Sequence, residues 1–336
     1  MDSRQGRDLV VVAASAGGVD PLRALVARLP PGLPAAVLVV LHVAASGSSV
    51  LAGILDRAGP LKAAPAEDGL PLVPGEIRVA VADHHLLVHD DRQRVSRGPR
   101  YNGYRPAADL LFMSAAVAAG PRVAGVVLSG TLDDGARGCE LVERHGGVVA
   151  VQDPEECAFP GMPSAALRAS GRGQVLPARR LPEWIVEQTR SPVIAEEVAP
   201  DGELLRDLAR YLTPRLPTTP PEGELSGFTC PDCSGPLYTR PGDPDPRYDC
   251  RVGHSWSMDT MIAGQAEAVE RALWVAVLRL EERGRLLQRM LHSAEQRGHR
   301  LSFSRLADEA EQTREALETI RVMQSRLSTE DDATRA

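Results

Sequence analysis

Four short apolar runs constrain the fold of this chain more than any other feature. They lie at residues 9–13, 37–41, 123–129 and 148–152, and they do not alternate with polar residues. Such runs are typical of strands buried on both faces of a sheet. Helical patterns separate or follow them, at residues 21–28, 48–56, 106–119, 135–145 and 181–188. The sequence therefore predicts an α/β fold, a mostly parallel, doubly wound sheet with helices on both faces.

Three more polar segments, at residues 76–81, 86–89 and 94–97, are predicted to form an exposed β-meander. After residue 190 the composition changes, first to proline and small polar residues, then to a cysteine cluster, then to a charged helical pattern. The predicted divisions are an α/β domain over 1–190, a linker over 191–226, a metal-binding knuckle over 227–257, a helical region over 258–327 and a disordered tail over 328–336.

Charge and hydropathy exclude several partner classes. A formal net charge of −7 argues against general nucleic-acid binding and against binding to anionic membranes. The polar N-terminus carries no targeting segment, and the first apolar run is too short to span a bilayer. We therefore expect a cytoplasmic protein without membrane insertion, whose five cysteines form no disulfides.

Reactive side chains follow three of the predicted strands. Ser15 follows the first, His42 the second, and Asp134 the strand at 123–129. The carboxyl ends of parallel strands share one edge of a sheet, so these groups could converge into a nucleophile, its base and the group that orients the base. The residues alone leave structural alternatives open, because a serine at a strand-to-helix corner is often a turn residue and an aspartate before a helix is often an N-cap.

Six motifs in order resemble one known family. They are "VAASAGGVDPL", "LHVAASGSSVLAGIL", "AEDGLPLVPGEIRVAVADHHLLV", "YNGYRPAADLLF", "GVVLSGTLDDGARG" and "VQDPEECAFPGMPSAAL". The set is similar to the catalytic domain of the chemotaxis protein-glutamate methylesterases, the CheB family, over about residues 8–190. Members hydrolyse glutamyl methyl esters on chemoreceptors, and many deamidate receptor glutamines.

The resemblance implies Ser15 as nucleophile, His42 as general base and acid, and Asp134 as the residue that orients the imidazole, with no catalytic cofactor. Candidate oxyanion and substrate-loop residues are Ala16, Gly17, Gly18, Gly130 and Thr131, and candidate substrate-binding residues are Tyr104 and Arg105. The implied substrate is a methylated chemoreceptor or similar signalling protein, and a cognate methyltransferase is an implied partner. The start of the first strand near Leu9 predicts no phospho-receiver domain before it.

The chain departs from the family pattern at three places. Ala16 stands where a hydroxyl residue is usual, Thr131-Leu132 where a methionine-glycine pair is usual, and Tyr104 where a histidine is common. None of these positions belongs to the implied triad, so the departures concern substrate contacts and rate. A non-catalytic signalling adaptor, which uses the domain for partner binding, is the alternative function.

Three thiols and an imidazole form a second candidate site. Cys230, Cys233, Cys250 and His254 occur as two short clusters, a spacing typical of tetrahedral structural Zn²⁺. A metal-free knuckle and a redox dithiol are the alternatives. The helical region that follows carries apolar residues with 4,3 spacing, interrupted at Arg283: Ile262, Ala266, Val269, Leu273, Ala276, Leu280, Leu287 and Met290. This predicts a coiled-coil seam, either within a helical hairpin or between two copies in a homodimer.

Overall fold

The structure is a computed structural model and describes residues 6–42, 50–193, 202–212, 219–239, 246–297 and 300–335. The chain forms two compact units, residues 1–261 and 262–336. The strands before the knuckle are β1 (Leu9–Ala14), β2 (Ala36–Leu41), β3 (Lys62–Pro65), β4 (Glu76–Val79), β5 (His85–His89), β6 (Arg92–Ser96), β7 (Val123–Val127), β8 (Val148–Gln152) and β9 (Gln174–Leu176). The helices are α1 (Val19–Val26), α2 (Leu51–Ala58), α3 (Ala108–Ala119), α4 (Ala136–Arg144), α5 (Gly161–Ala169), α6 (Leu181–Arg190) and α7 (Gly202–Leu212).

Seven parallel strands form one sheet in the order β3-β4-β2-β1-β7-β8-β9. The chain adds strands to one side of β1 first and then returns to add β7 on the other side. The strand order therefore reverses at β1, and an open parallel sheet has its functional crevice at such a point. This arrangement confirms the predicted α/β class.

Alternate residues of the central strands face two separate cores. Val11, Ala13 and Val40 pack with α3, α4 and α5 on one face. Val10, Val12 and Val39 belong to the core on the other face, with residues of α1, α2 and α6. Both faces are covered, which explains why the strands show no polar alternation.

The edges of the sheet differ from the sequence prediction. β4 joins the sheet, and only β5 and β6 pair as a hairpin, so the predicted three-stranded meander is wrong. β3 and β9 carry no signal in the sequence because they are short edge strands with partly exposed, mixed composition. The first two residues of the predicted helix at 48–56 lie outside the described residues.

Helix α7 lies within the segment predicted as a linker, so the 191–226 prediction is wrong for these residues. Leu204, Leu208 and Tyr211 follow the i, i+4, i+7 spacing and are buried in the core that contains α3. The proline-rich segments on both sides of this short amphipathic helix obscured its sequence pattern. Its stability comes from packing an apolar face against the core rather than from intrinsic helix propensity.

The knuckle is a four-stranded antiparallel sheet within the first unit. Its strands are β10 (Glu224–Thr229), β11 (Pro236–Thr239), β12 (Tyr248–Cys250) and β13 (Ser255–Trp256). The small core contains Leu237, Tyr248, Trp256 and Met261 beside two of the cysteines. So few apolar groups offer little burial energy, which is typical of domains held together by a metal.

The second unit contains most of α8 (Met258–Gln296) and α9 (Arg300–Arg335). The two helices run antiparallel, with ion pairs between Arg283 and Glu309 at 3.5 Å and between Arg321 and Glu281 at 2.7 Å. Helix α9 extends to Arg335 and so covers most of the segment predicted as a disordered tail over 328–336. A helix extends at little cost once its preceding turns exist.

The inner face of α8 differs from the predicted seam. Leu287 is buried as predicted, but Ile262, Val269 and Met290 are 63%, 51% and 52% exposed. Arg283 lies beside the seam in an ion pair. Gly284 and Leu291 are partly buried in their place. The 4,3 pattern did not reveal this one-residue change because a glycine carries no hydropathy signal. In the part of the chain that the structure describes, no helix has the length and apolar character needed to cross a membrane.

Candidate active site

Ser15, His42 and Asp134 come together at the point where the strand order reverses. They follow β1, β2 and β7, three adjacent strands of the sheet. The Nδ1 atom of His42 lies 3.1 Å from Ser15 Oγ, and its Nε2 atom lies 2.8 Å from Asp134 Oδ2. The three side chains thus form a continuous hydrogen-bonded chain from a hydroxyl to a carboxylate.

Asp134 is fully buried and accepts four N–H donors. Its Oδ2 accepts from His42 and from the Ala108 N–H at 2.6 Å, and its Oδ1 accepts from the Asp109 N–H and the Asn102 side chain, both at 3.1 Å. Burial alone would raise the pKa of this carboxyl, but the His42 hydrogen bond and the two backbone donors lower it below its usual value. The N-terminus of α3 adds a favourable dipole. Asp134 is therefore the ionised acceptor of the site.

His42 is held in one tautomer and one ring orientation. An ionised carboxylate only accepts hydrogen bonds, so Nε2 carries the proton and the Nδ1 lone pair faces Ser15. The imidazole also stacks on the Tyr104 ring, with centroids 3.8 Å apart and planes 7° from parallel. Its side chain is only 6% exposed. The arrangement can accept a proton from the hydroxyl.

Ser15 stands at a tight corner that two glycines make possible. Gly17 has a φ of +68°, which a side chain rarely adopts, and its position leaves no room for a Cβ. A Cβ on Gly130 would lie 2.9 Å from the Cβ of Ser15 and closer still to Met162. The Ser15 N–H donates to the Ser129 carbonyl at 2.9 Å, which fixes the corner to the end of β7.

The backbone donors predicted for an oxyanion divide into two groups. The Gly18 N–H donates to the Ser15 carbonyl at 3.0 Å, and the Gly130 N–H donates to the Phe159 carbonyl at 2.9 Å, so both are already engaged. Within the described residues, the N–H groups of Ala16, Gly17 and Thr131 donate to no protein acceptor. These three remain as donors that could face an oxyanion.

Of the two predicted substrate-binding residues, only Tyr104 touches the site. Arg105 donates from Nε and Nη2 to Asp83 Oδ1 and from Nη1 to the Gly98 carbonyl, so its guanidinium holds neighbouring loops together. These contacts give Arg105 a structural role, and its binding of substrate stays a prediction.

Sequence reasoning missed Asn102 and Asp109, which surround Asp134. Asp109 Oδ1 accepts from the N–H groups of Gly135 and Gly138 at the start of α4, and burial, reinforced by the nearby Asp134 charge, raises the pKa of Asp109 to about 7. The signal for Asp109 was available, since it is the only charged residue of the buried helix α3. Asn102 gave no functional signal in the sequence, because an Asn-Gly pair is typical of a turn.

The four predicted metal ligands also come together. Cys230 and Cys250 Sγ lie 3.6 Å and 3.5 Å from His254 Nδ1, and Cys233 Sγ lies 3.7 Å from Cys250 Sγ. A tetrahedral Zn²⁺ with usual bond lengths separates two sulfurs by about 3.8 Å and a sulfur from a nitrogen by about 3.6 Å. The donor set therefore fits a closed, four-coordinate zinc site, which is the structural kind rather than the catalytic kind.

Known proteins resemble the first half of this chain. It is 43% identical over 190 residues to a protein-glutamate methylesterase/protein-glutamine glutaminase of Anaeromyxobacter dehalogenans, an alignment that covers 55% of each protein. A Nocardioides protein of the same name is 37% identical over 66% of this chain and 55% of its own length. The chain thus spans about half the length of the curated relatives it matches.

A solved structure and a family match agree with these relatives. The catalytic domain of the Thermotoga maritima CheB methylesterase superposes with a TM-score of 0.51 at 31% sequence identity, covering 54% of this chain and 97% of that one. Residues 10–185, just over half of the chain, match the family described as CheB methylesterase. This chain belongs to the CheB methylesterase family.

Proposed function

We propose that this protein is a serine hydrolase that removes methyl groups from protein glutamyl methyl esters. The observation that carries the proposal is the hydrogen-bonded chain from Ser15 through His42 to Asp134, in a member of the CheB methylesterase family. Relatives named protein-glutamate methylesterase support the reaction class. A methylated chemoreceptor, or a signalling protein of that kind, is the proposed substrate.

The geometry of the site supports a two-step mechanism through an acyl-enzyme. His42 Nδ1 takes the proton of Ser15 Oγ as that oxygen attacks the ester carbonyl. The imidazolium, stabilised by Asp134, then protonates the departing methoxide, and methanol leaves an acyl-enzyme. His42 next takes a proton from water, which attacks the acyl group, and returning that proton to Ser15 releases the glutamate carboxylate.

The oxyanion of each tetrahedral intermediate is proposed to bind the N–H groups of Ala16, Gly17 and Thr131. These donors lie on the two loops that flank Ser15 and have no protein acceptor within the described residues. Backbone donors have a fixed direction, so they stabilise developing negative charge without reorganisation.

Deamidation of protein glutamine is a second proposed activity. The two relatives described above carry glutaminase in their names, and an amide differs from the ester only in its leaving group. His42, as the imidazolium, would protonate the amide nitrogen of the tetrahedral intermediate, so that ammonia leaves in place of methanol. The same three residues then serve both reactions.

A serine-directed fluorophosphonate tests the proposed nucleophile without a receptor. We expect one adduct per chain, located at Ser15 by peptide mass spectrometry, and none in Ser15→Ala. His42→Gln should slow labelling by about 10²- to 10⁴-fold, because the general base is lost. Methanol release from a methylated chemoreceptor then tests the substrate.

The outcome separates an enzyme from an adaptor. No adduct on the folded wild-type protein would contradict the hydrolase and favour the adaptor, as would equal labelling rates in the wild type and His42→Gln. Labelling at Ser15 without methanol release would retain the hydrolase and reject this substrate.

We further propose that Cys230, Cys233, Cys250 and His254 bind one structural Zn²⁺. The purified protein is expected to contain about one zinc per chain, measured by plasma mass spectrometry, and Cys250→Ser should lose most of it. Cys157→Ser is the matched control, since Cys157 lies outside the cluster and should leave zinc unchanged. Wild-type protein that folds without zinc would contradict the proposal.

A homodimer through the C-terminal helices, a cognate methyltransferase partner and a cytoplasmic location stay predictions. Size-exclusion chromatography with light scattering checks the first, since a homodimer doubles the mass expected for a 36.0 kDa chain.

A further inference from the structure

The knuckle pairs with the loop that supports the triad. The Asn102 N–H donates to the Ser255 carbonyl at 2.7 Å, and Tyr101 and Ser255 form a parallel β-bridge. This extends the knuckle sheet by one short segment beyond β13. The loop that precedes α3 is thus held by residues that lie more than a hundred positions later in the chain.

Asn102 connects the knuckle to the triad through its side chain. Its Nδ2 donates to Asp134 Oδ1 at 3.1 Å and to Asp109 Oδ2 at 2.9 Å. Its Oδ1 accepts from Arg247 Nη2 at 2.7 Å and from the Ser257 N–H at 3.2 Å. Asn102 is 2% exposed, so these four partners satisfy the amide where water cannot replace them.

The fold of the knuckle fixes Arg247. This residue immediately precedes β12, where Tyr248 pairs with Trp256 of β13. Its Nη2 also donates to Ser255 Oγ at 3.2 Å, and its guanidinium lies 4.5 Å above the centre of the Tyr101 ring. Two candidate metal ligands, Cys250 and His254, lie at the turn between these strands.

A second contact reaches the other side of the site. A Cβ on Gly103 would lie 3.0 Å from the Trp256 ring, so the indole packs directly against this glycine. The next residue, Tyr104, stacks on His42. The knuckle therefore contacts the loop at two points. One is Asn102, which binds Asp134, and the other is Gly103, which precedes the Tyr104 that stacks on His42.

We propose that Arg247 is a positioning residue for the esterase triad and acts through Asn102; this inference rests on the proposed function. The charged donor on Oδ1 fixes the Asn102 amide, so that its NH₂ group points at Asp134. Without Arg247 the amide keeps, among the described residues, the Ser257 N–H alone as a donor to Oδ1. Asp134 then loses a fixed donor, and the His42 ring is held less tightly. A misplacement on the order of 1 Å in such a network lowers a rate about 10²-fold.

The test is a double-mutant cycle with Arg247→Met and Asn102→Ala, read as the fluorophosphonate labelling rate of Ser15 in the full chain. We expect Arg247→Met to slow labelling about 10- to 100-fold in the wild-type background, and to have little further effect in Asn102→Ala. Arg247→Lys, which keeps a cation without the planar fork, should recover part of the rate. Arg251→Met, an exposed arginine of the same knuckle, is the matched control and should label at the wild-type rate.

Circular dichroism and zinc content establish that each variant is folded. If Arg247→Met does not fold, Arg247→Lys replaces it in the cycle. We then expect a smaller loss of labelling rate in the wild-type background, and again little further loss in Asn102→Ala. A folded Arg247→Met protein that labels at the wild-type rate would overturn the positioning role while leaving the hydrolase intact. So would a double variant in which the two losses of labelling rate add. Absence of labelling in the wild type would instead contradict the proposed function itself.

Discussion

Ser15→Ala is expected to lower kcat for methanol release from a methylated receptor by about 10⁶-fold, the loss typical of removing a nucleophile from an intact triad. The effect is large because no other hydroxyl within the described residues hydrogen-bonds to His42. Alanine fits the site, because among the described residues the Ser15 hydroxyl hydrogen-bonds to the imidazole alone, and the backbone hydrogen bonds of residue 15 remain. The thermal midpoint of unfolding should therefore change little.

Ser164→Ala is the matched control for this prediction. Ser164 is a partly exposed serine of α5 in the same unit, and its hydroxyl makes no hydrogen bond within the described residues. It should retain the wild-type kcat. A Ser15→Ala protein that releases methanol within tenfold of the wild type would exclude Ser15 as the nucleophile.

The sheet and the convergence of Ser15, His42 and Asp134 could be predicted from the sequence because both depend on local signals. A buried parallel strand is a short apolar run, and the residue after it lies at the carboxyl edge whatever the length of the connection. The strand order could not be read in the same way. It depends on which strands pair, and edge strands such as β3 and β9 have little apolar character.

The support of the triad could not be predicted, since it depends on contacts distant in sequence. Asn102 and Arg247 are 145 residues apart, and nothing near either residue indicates the other. The N-cap alternative for Asp134 does not describe its contacts. Asp134 accepts from the first N–H groups of α3, while Asp109 accepts from the Gly135 N–H at the start of α4. Capping by a residue of another segment leaves no local pattern.

Asp134→Asn is expected to lower kcat by about 10⁴-fold while leaving Ser15 in place. The wild-type carboxylate accepts from four N–H groups, two on each oxygen. An amide replaces one oxygen with a donor. If that NH₂ takes the Oδ2 position, it faces His42 Nε2, and the imidazole must carry its proton on Nδ1, where it cannot accept one from Ser15.

The opposite orientation of the amide in Asp134→Asn lowers the stability of the fold. The NH₂ would then face the donors of Asn102 and Asp109, leaving buried N–H groups unpaired. We therefore expect the thermal midpoint of Asp134→Asn to fall as well as its rate.

Stability should also depend on pH in a defined direction. The pKa of Asp134 in the folded protein lies below its ordinary value of 3.8. The ionised carboxylate therefore adds to the free energy of unfolding above about pH 3.8, and this stabilisation is lost as the pH falls through the pKa of the folded state. The difference in thermal midpoint between the wild type and Asp134→Asn should shrink in that acidic range.

Asp133→Asn supplies the control for Asp134→Asn, because it makes the same chemical change one residue away. Asp133 accepts from Ser257 Oγ at 3.0 Å, and an asparagine oxygen accepts that hydrogen bond equally well. We expect its kcat to stay within a few-fold of the wild type. An Asp134→Asn protein with the rate of Asp133→Asn would mean that His42 needs no carboxylate to hold its tautomer, and the triad would reduce to a serine–histidine pair.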